Sequence, residues 1–196
     1  LPLCSRAIRD LARPATEKIL IDSLACFTQL ESFCSDYVPE VSPLLEYHEN
    51  ERQLFDSYGV EDEIQRALCR KVDLKSGGYL IIDQTEAMTT IDVNTGSFVG
   101  KKNLEDTIFR TNIEAASILA RQLRVRNLGG IIIIDFIDMQ EAVHRHEVHR
   151  ELQKALQLDP SRNRITGISD LGLVEMTRKR DRESLAHMLC EECASC

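Results

Sequence analysis

Residues 129–142 read GGIIIIDFIDMQEA, and this stretch decides the fold class. Four consecutive isoleucines are too few for a helix and are β-branched, so they predict a strand, one buried on both faces. Gly129-Gly130 is expected to end the helix before it. The strand runs into two carboxylates, Asp135 and Asp138, three residues apart. A carboxylate at the end of a buried strand is costly unless something pairs with it. Asp138 has a local explanation: DMQE just before a helical pattern resembles a capping box, with Asp138 as N-cap and Glu141 at the third position. Asp135 has no such explanation.

A second strand ends the same way. In TTIDVNTG, residues 89–96, Asp92 closes an apolar run and Asn94 follows on the same face. If the two strands are neighbours, their carboxylates meet and repel unless a cation neutralises both. Mg²⁺ suits such a site, because it is a hard ion held by one or two carboxylates and several waters. Asn94 is then placed to reach a metal-bound water or a phosphate. The residues alone leave a second reading open, in which each aspartate accepts backbone N–H bonds in a turn.

Outward from these strands, YLIID (79–83) and AMTTIDV (87–93) predict a hairpin turning at Gln84-Thr85-Glu86, preceded by a Gly77-Gly78 turn. Residues 103–127 carry apolar positions Leu104, Ile108, Ala115, Leu119 and Leu123 and predict a long amphipathic helix. Residues 140–157 predict another, and RITGIS and LVEMTRKR two more strands. Helices and strands then mix in a layered α+β fold over 68–185. Residues 1–75 read as helical and mixed: a strand in EKILIDS (17–23), a helix stopped by Pro39, and a helix over 60–72.

The composition is that of a soluble globular chain, with 43% hydrophobic and 29% charged residues and no apolar run long enough to span a membrane. LPLCSRAIRD at the start has no apolar region of signal-peptide length and no Met, so the chain reads as a piece of something longer. A net charge of −8 argues against a globally basic nucleic-acid binder. Local clusters remain for phosphates: Lys101 and Lys102, Arg121, Arg124 and Arg126, Arg162 and Arg164, and RKRDR at 178–182. Of the seven cysteines, Cys4, Cys26, Cys34 and Cys69 are scattered among apolar or helical residues and read as ordinary buried thiols of a reducing cytosol. Cys190, Cys193 and Cys196 are spaced by three, a zinc-ligand spacing that supplies only part of a tetrahedral set. A reduced, frayed terminus is the other reading. His144, His146 and His149 read as a solvated helix face.

The run SGGYLIIDQTEAMTTIDVNTG, followed by NLEDTIFRTNIEAASILARQLRVRNLGGIIIIDFIDM, resembles the catalytic region of the ribonuclease E/G family. The resemblance extends back through LFDSYGVEDEIQRAL and ILIDS, and the tail is most like the ribonuclease G branch. It implies a Mg²⁺-dependent endoribonuclease cutting single-stranded RNA, with preference for a 5′-monophosphate, in ribosomal RNA 5′-end maturation and messenger RNA turnover in the bacterial cytoplasm. Asp92, Asp135 and Asn94 are the implied catalytic residues, with Mg²⁺ on the two aspartates. Arg162 is implied near the RNA 5′ end, and Arg164, Lys101 and Lys102 are further RNA-binding candidates. Residues 1–67 are implied to be part of a ribonuclease-H-like subdomain, 68–185 a deoxyribonuclease-I-like subdomain, and 186–196 a truncated zinc-link. There Cys193 and Cys196 would share Zn²⁺ with a second subunit in a homodimer or higher oligomer. The family's S1 and 5′-sensing modules are not in this sequence, which reads as a catalytic core cut from a longer enzyme. A different class, a non-catalytic RNA-binding or zinc-linked scaffold, would not need the paired aspartates. A deoxyribonuclease is suggested only by the implied subdomain fold.

Overall fold

The computed structural model describes residues 1–49, 52–96, 104–169 and 171–191. The chain divides into two compact units, Leu1–Ile64 and Gln65–Cys196.

In the first unit, α1 (Leu3–Leu11) and α2 (Leu24–Tyr37) pack with a two-stranded parallel sheet of β1 (Ile19–Ile21) and β2 (Leu45–Tyr47). Its core is small: Ile8, Ile21, Leu30, Cys34, Val41 and Leu45. Ser23 caps α2 by accepting from the Cys26 N–H at 3.4 Å. A short α3 (Leu54–Ser57) follows, then α4 (Val60–Leu68), where the chain passes into the second unit.

The helix expected over 60–72 stops at Leu68, and Lys71–Asp73 instead forms β3. Val72 pairs with Leu80 and packs on the core of the second unit, so strand pairing wins over the helical spacing of Ile64, Leu68 and Val72. The strands β3, β4 (Tyr79–Gln84), β5 (Met88–Asn94), β6 (Gly130–Asp135), β7 (Asn163–Ile165) and β8 (Leu173–Arg178) form one sheet ordered β3-β4-β5-β6-β8-β7. The hairpin β4–β5 is antiparallel as expected, and β5 and β6 pair in parallel. That parallel step needs a crossover. The 22-residue α5 (Leu104–Val125) provides it, and α6 (Ala142–Leu156) follows β6.

Both long helices cover one face of the sheet. Ala115, Ala116, Leu119, Ala120 and Leu123 of α5 and Val148, Leu152 and Leu156 of α6 bury against Leu80, Ile82, Ile91, Val93, Ile132, Ile134, Val174 and Met176. The isoleucine run is therefore not buried on both sides. Ile132 and Ile134 are fully buried, Ile133 is half-buried and Ile131 is 49% exposed on the open face. Alternation, not a continuous apolar run, is the pattern a one-sided sheet requires.

Gly129-Gly130 does not end α5. The helix closes two residues earlier at Asn127, the left-handed residue (φ +50°), with Leu128 N–H on Leu123 C=O at 3.0 Å and Asn127 N–H on Arg124 C=O at 3.2 Å. This is a Schellman closure in which Asn takes the position usual for Gly. The glycines serve Arg180 instead: a Cβ on Gly130 would meet its guanidinium at 2.7 Å.

At that end of the sheet lies a buried ion pair. Arg178 donates Nε to Asp159 Oδ2 at 2.7 Å and Nη2 to Oδ1 at 3.0 Å, and Nη1 to the Leu128 carbonyl at 2.8 Å. The two side chains are 3% and 0% exposed. Breaking one side of such a pair leaves a buried charge, so Asp159→Ala is expected to lose about 3–5 kcal/mol of unfolding free energy in urea titration. The double change Asp159→Leu with Arg178→Met should recover most of it, and failure to recover would place the stabilisation elsewhere.

Candidate active site

Two parallel strands end at the same edge of a sheet. Asp92 and Asp135 are direct partners in the β5–β6 register. Strands lie about 4.8 Å apart and paired residues face the same way, so both carboxylates stand side by side on the open face. Both residues are exposed. Asn94, two residues on, donates its Nδ2 to Asp92 Oδ2 at 2.8 Å. The amide orients the carboxylate.

Asp135 has its pKa pushed up. Burial of the carboxyl against neighbouring protein atoms is the main cause, followed by the negative charges of Asp92 and Asp138. Asp138 thus belongs to the same electrostatic neighbourhood. It does not cap α6: the helix begins at Ala142, its N-cap is Glu141, and no side chain of that segment caps it. A carboxylate of α5 holds the backbone just before the helix instead. Glu105 accepts from the Gln140 and Glu141 N–H groups at 3.4 and 3.3 Å and from His144 Nδ1 at 2.9 Å. The hydrogen bond from His144 is the largest of the effects that together hold the Glu105 pKa below the usual range. His144 also stacks on Phe109 at 4.3 Å between ring centroids, and His149 Nε2 lies 2.7 Å from the Thr166 carbonyl. Two of the three histidines therefore serve as internal contacts, and not as a solvated face.

The segment after β6 is fixed at successive points. The Phe136 N–H donates to Gly172 C=O at 3.3 Å, and Phe136 is 2% exposed. Fully buried Asn112 bonds both the carbonyl and the N–H of Ile137, at 2.8 and 3.1 Å. On the other side, the end of β5 packs against the Gly77-Gly78 turn, where a Cβ on Gly78 would meet the Asn94 carbonyl at 2.5 Å. Glu114 of α5 holds that turn by accepting from Lys75 and Ser76 N–H at 2.6 and 2.9 Å. Burial raises its pKa, and the bonds from Ser76 and Lys75 outweigh this and leave it lowered.

The residues suit a small hard cation: two oxygen donors side by side, one carboxyl already carrying excess negative potential, and an amide fixing the other. Among the described residues no group of three or more His, Cys, Asp or Glu could hold a metal. An ion such as Mg²⁺, held by one or two carboxylates with waters completing its shell, needs no larger group.

Arg162 and Arg164 are not beside the carboxylates. With Lys179, Thr177 and Ile131 they line a surface groove of about 460 Å³ at the opposite end of β6. Ile131 and Asp135 are four residues apart on one strand, about 13 Å at 3.3 Å per residue. Lys101, Lys102, Cys193 and Cys196 lie outside the described residues; Cys190 is an exposed free thiol, and of the four thiols expected to be buried Cys34 is, whereas Cys26 is half-buried and Cys4 and Cys69 are exposed. No helix among the described residues is long and apolar enough to cross a membrane. The sequence reading missed Glu105, Asn112 and Glu114. Asn112 left a signal, a polar residue on the stripe that runs from Ile108 to Ala115 and Leu119.

Residues 1–181 match the family model described as Ribonuclease E/G family. The chain belongs to the ribonuclease E/G family. It is 58% identical over 196 residues to Ribonuclease G of Salmonella typhimurium (strain SL1344) and 57% identical to that of Escherichia coli (strain K12). Both alignments take in 100% of this chain and 40% of the relative. Ribonuclease E of Nostoc sp. (strain PCC 7120 / SAG 25.82 / UTEX 2576) is 36% identical over 194 residues, 97% of this chain and 28% of that protein. The chain thus spans less than half the length of these family members.

The raised pKa of Asp135 fixes a sign. A carboxyl whose folded pKa exceeds its unfolded one destabilises the native state above that folded pKa, and the cost fades as pH falls through it. In EDTA at neutral pH, Asp135→Asn is expected to melt a few degrees above the unchanged chain, and the gap should close on acidification. A variant melting lower at neutral pH would contradict the raised pKa of Asp135. Glu105 has the opposite sign. Its contribution is present above the ordinary carboxylate range and is lost as pH falls through its depressed value, so amide protection at Gln140 and Glu141 should drop there first.

Proposed function

We propose that this chain carries the catalytic centre of a Mg²⁺-dependent endoribonuclease that cleaves single-stranded RNA. The observation that carries the reading is the pairing of Asp92 with Asp135 at the shared carboxyl edge of β5 and β6, on an open sheet face. Family membership supports RNA as the substrate class.

In this reading Asp92 and Asp135 hold the ion. When bound, Mg²⁺ supplies Lewis-acid charge for phosphodiester hydrolysis. Asn94 keeps the Asp92 carboxylate turned by occupying Oδ2. Asp138 adds negative potential at Asp135 that would attract a divalent cation. The open face leaves room for a strand of RNA to lie along β6. Arg164 and Arg162, about 13 Å or more from the carboxylates along that strand, would take phosphates there, with Arg162 toward the 5′ end. Lys101 and Lys102 are further phosphate ligands in the same proposal.

The finer features follow from resemblance to the family: a 5′-monophosphate preference, a role in ribosomal RNA 5′-end maturation and messenger RNA turnover, and the bacterial cytoplasm. Residues 68–185 would be the deoxyribonuclease-I-like subdomain, and residues 1–67 part of a ribonuclease-H-like one. Cys193 and Cys196 would bind Zn²⁺ jointly with a second subunit and link a dimer.

Cleavage of a 5′-monophosphorylated single-stranded RNA by this chain, in Mg²⁺ and in EDTA, tests the proposal. Asp92→Asn and Asp135→Asn should both fall to the level seen in EDTA. Asn94→Ala, which frees but does not remove a ligand, should lose about 10–100-fold, as orienting partners of metal ligands do. Equal cutting by the unchanged chain and Asp135→Asn would remove Asp135 from the mechanism. RNA binding without cutting under every condition would favour the scaffold reading.

A further inference from the structure

We infer that Asn112 is a positioning residue for the Asp92–Asp135 centre, acting on Asp135 through the backbone of Ile137. The inference rests on the proposed metal-holding role of these two aspartates and adds a residue that touches neither.

Asn112 lies on the buried stripe of α5 and is 0% exposed. An amide there costs stability unless both its donor and acceptor are satisfied. Both go to one residue: Nδ2 donates to the Ile137 carbonyl at 2.8 Å, and Oδ1 accepts the Ile137 N–H at 3.1 Å. That is the pattern a neighbouring strand gives a ladder residue. The ladder on β6 stops at Asp135, which pairs with Asp92 on one side and Leu173 on the other. Past the ladder, the Phe136 N–H bonds the Gly172 carbonyl. At Ile137 the amide of Asn112 stands in for the missing strand and holds the backbone two residues past the carboxylate.

The far end of the same connector is held by Glu105, seven residues earlier on α5 and so on nearly the same helix face. Asp138 lies between the two clamps. The span from Asp135 to the start of α6 is thereby fixed to one rigid helix. Metal ligands must sit within a few tenths of an ångström of their required place. Two carboxylates that repel each other will not hold that arrangement unaided. A purely packing role is poorly served by Asn, since an apolar side chain would fill a buried helix position without needing partners.

The test is Mn²⁺ binding to the chain, read from the electron paramagnetic resonance signal of the free ion at neutral pH. Melting temperatures in EDTA are measured alongside. The proteins are the unchanged chain, Asp135→Asn, Asn112→Leu, Asn112→Ser and the core truncation Leu152→Ala in α6. The Asn112 variants should bind Mn²⁺ about 10–100-fold more weakly. Leu152→Ala should melt lower and bind as the unchanged chain does. An Asn112 variant that is folded and binds with unchanged affinity overturns the inference, as does equal weakening by Leu152→Ala. If Asn112→Leu does not fold, Asn112→Ser decides, because it removes both bonds while leaving room for water. Failure of the unchanged chain to bind, or binding undiminished in Asp135→Asn, overturns the metal reading itself and the inference with it.

Discussion

The parallel pairing of β5 with β6 is the constraint on which the rest depends. In an antiparallel pair the two aspartates, each at the carboxyl end of its strand, would stand at opposite edges of the sheet. Parallel strands put both ends at one edge, and the register makes Asp92 and Asp135 direct partners. A parallel step cannot be closed by a tight turn, so the chain needs α5. The crossover helix then has a face to bury, and it buries it on one side of the sheet with α6. The other side stays open where the carboxylates are. Site and fold thus share one cause.

The crossover also supplies the site's supports. Glu105, Asn112 and Glu114 all come from α5, and each bonds backbone N–H or C=O groups outside the helix. Glu114 holds the turn that packs on the end of β5. Asn112 and Glu105 hold the connector that leaves β6. A single rigid element therefore references both strand ends to itself. Side-chain to backbone bonds of this kind constrain position without a large apolar area, which an open face cannot provide.

Much of this was legible in the sequence, for identifiable reasons. Strand ends carrying Asp92 and Asp135, the β4–β5 hairpin and the two long helices all follow from local periodicity and turn chemistry. What failed was non-local. Lys71–Asp73 joined a sheet instead of extending α4 because Leu80 offered a partner. Asp138 looked like a cap because its spacing to Glu141 fits one, yet the free N–H groups go to Glu105, 36 residues from Glu141. Ile131 lay on an open face because α5 and α6 both pack on the side of Ile132 and Ile134. The zinc and lysine readings concern Cys193, Cys196, Lys101 and Lys102, which lie outside the described residues.

The charge arrangement at the two ends of β6 is unequal, and this bears on function. At the Gly130 end Arg178 is buried but fully paired with Asp159, and the geometry is closed. At the Asp135 end three carboxylates share one neighbourhood, and among the described residues no cation has a bond or ion pair to Asp92 or Asp135. A protein that needed only stability would have neutralised the second end as it did the first. Leaving like charges together costs stability in the absence of a ligand, and such local cost persists where a site needs it. A divalent cation reverses the sign of that interaction: the same two carboxylates that repel become joint ligands, and the excess potential that raises the Asp135 pKa becomes the attraction that holds the ion.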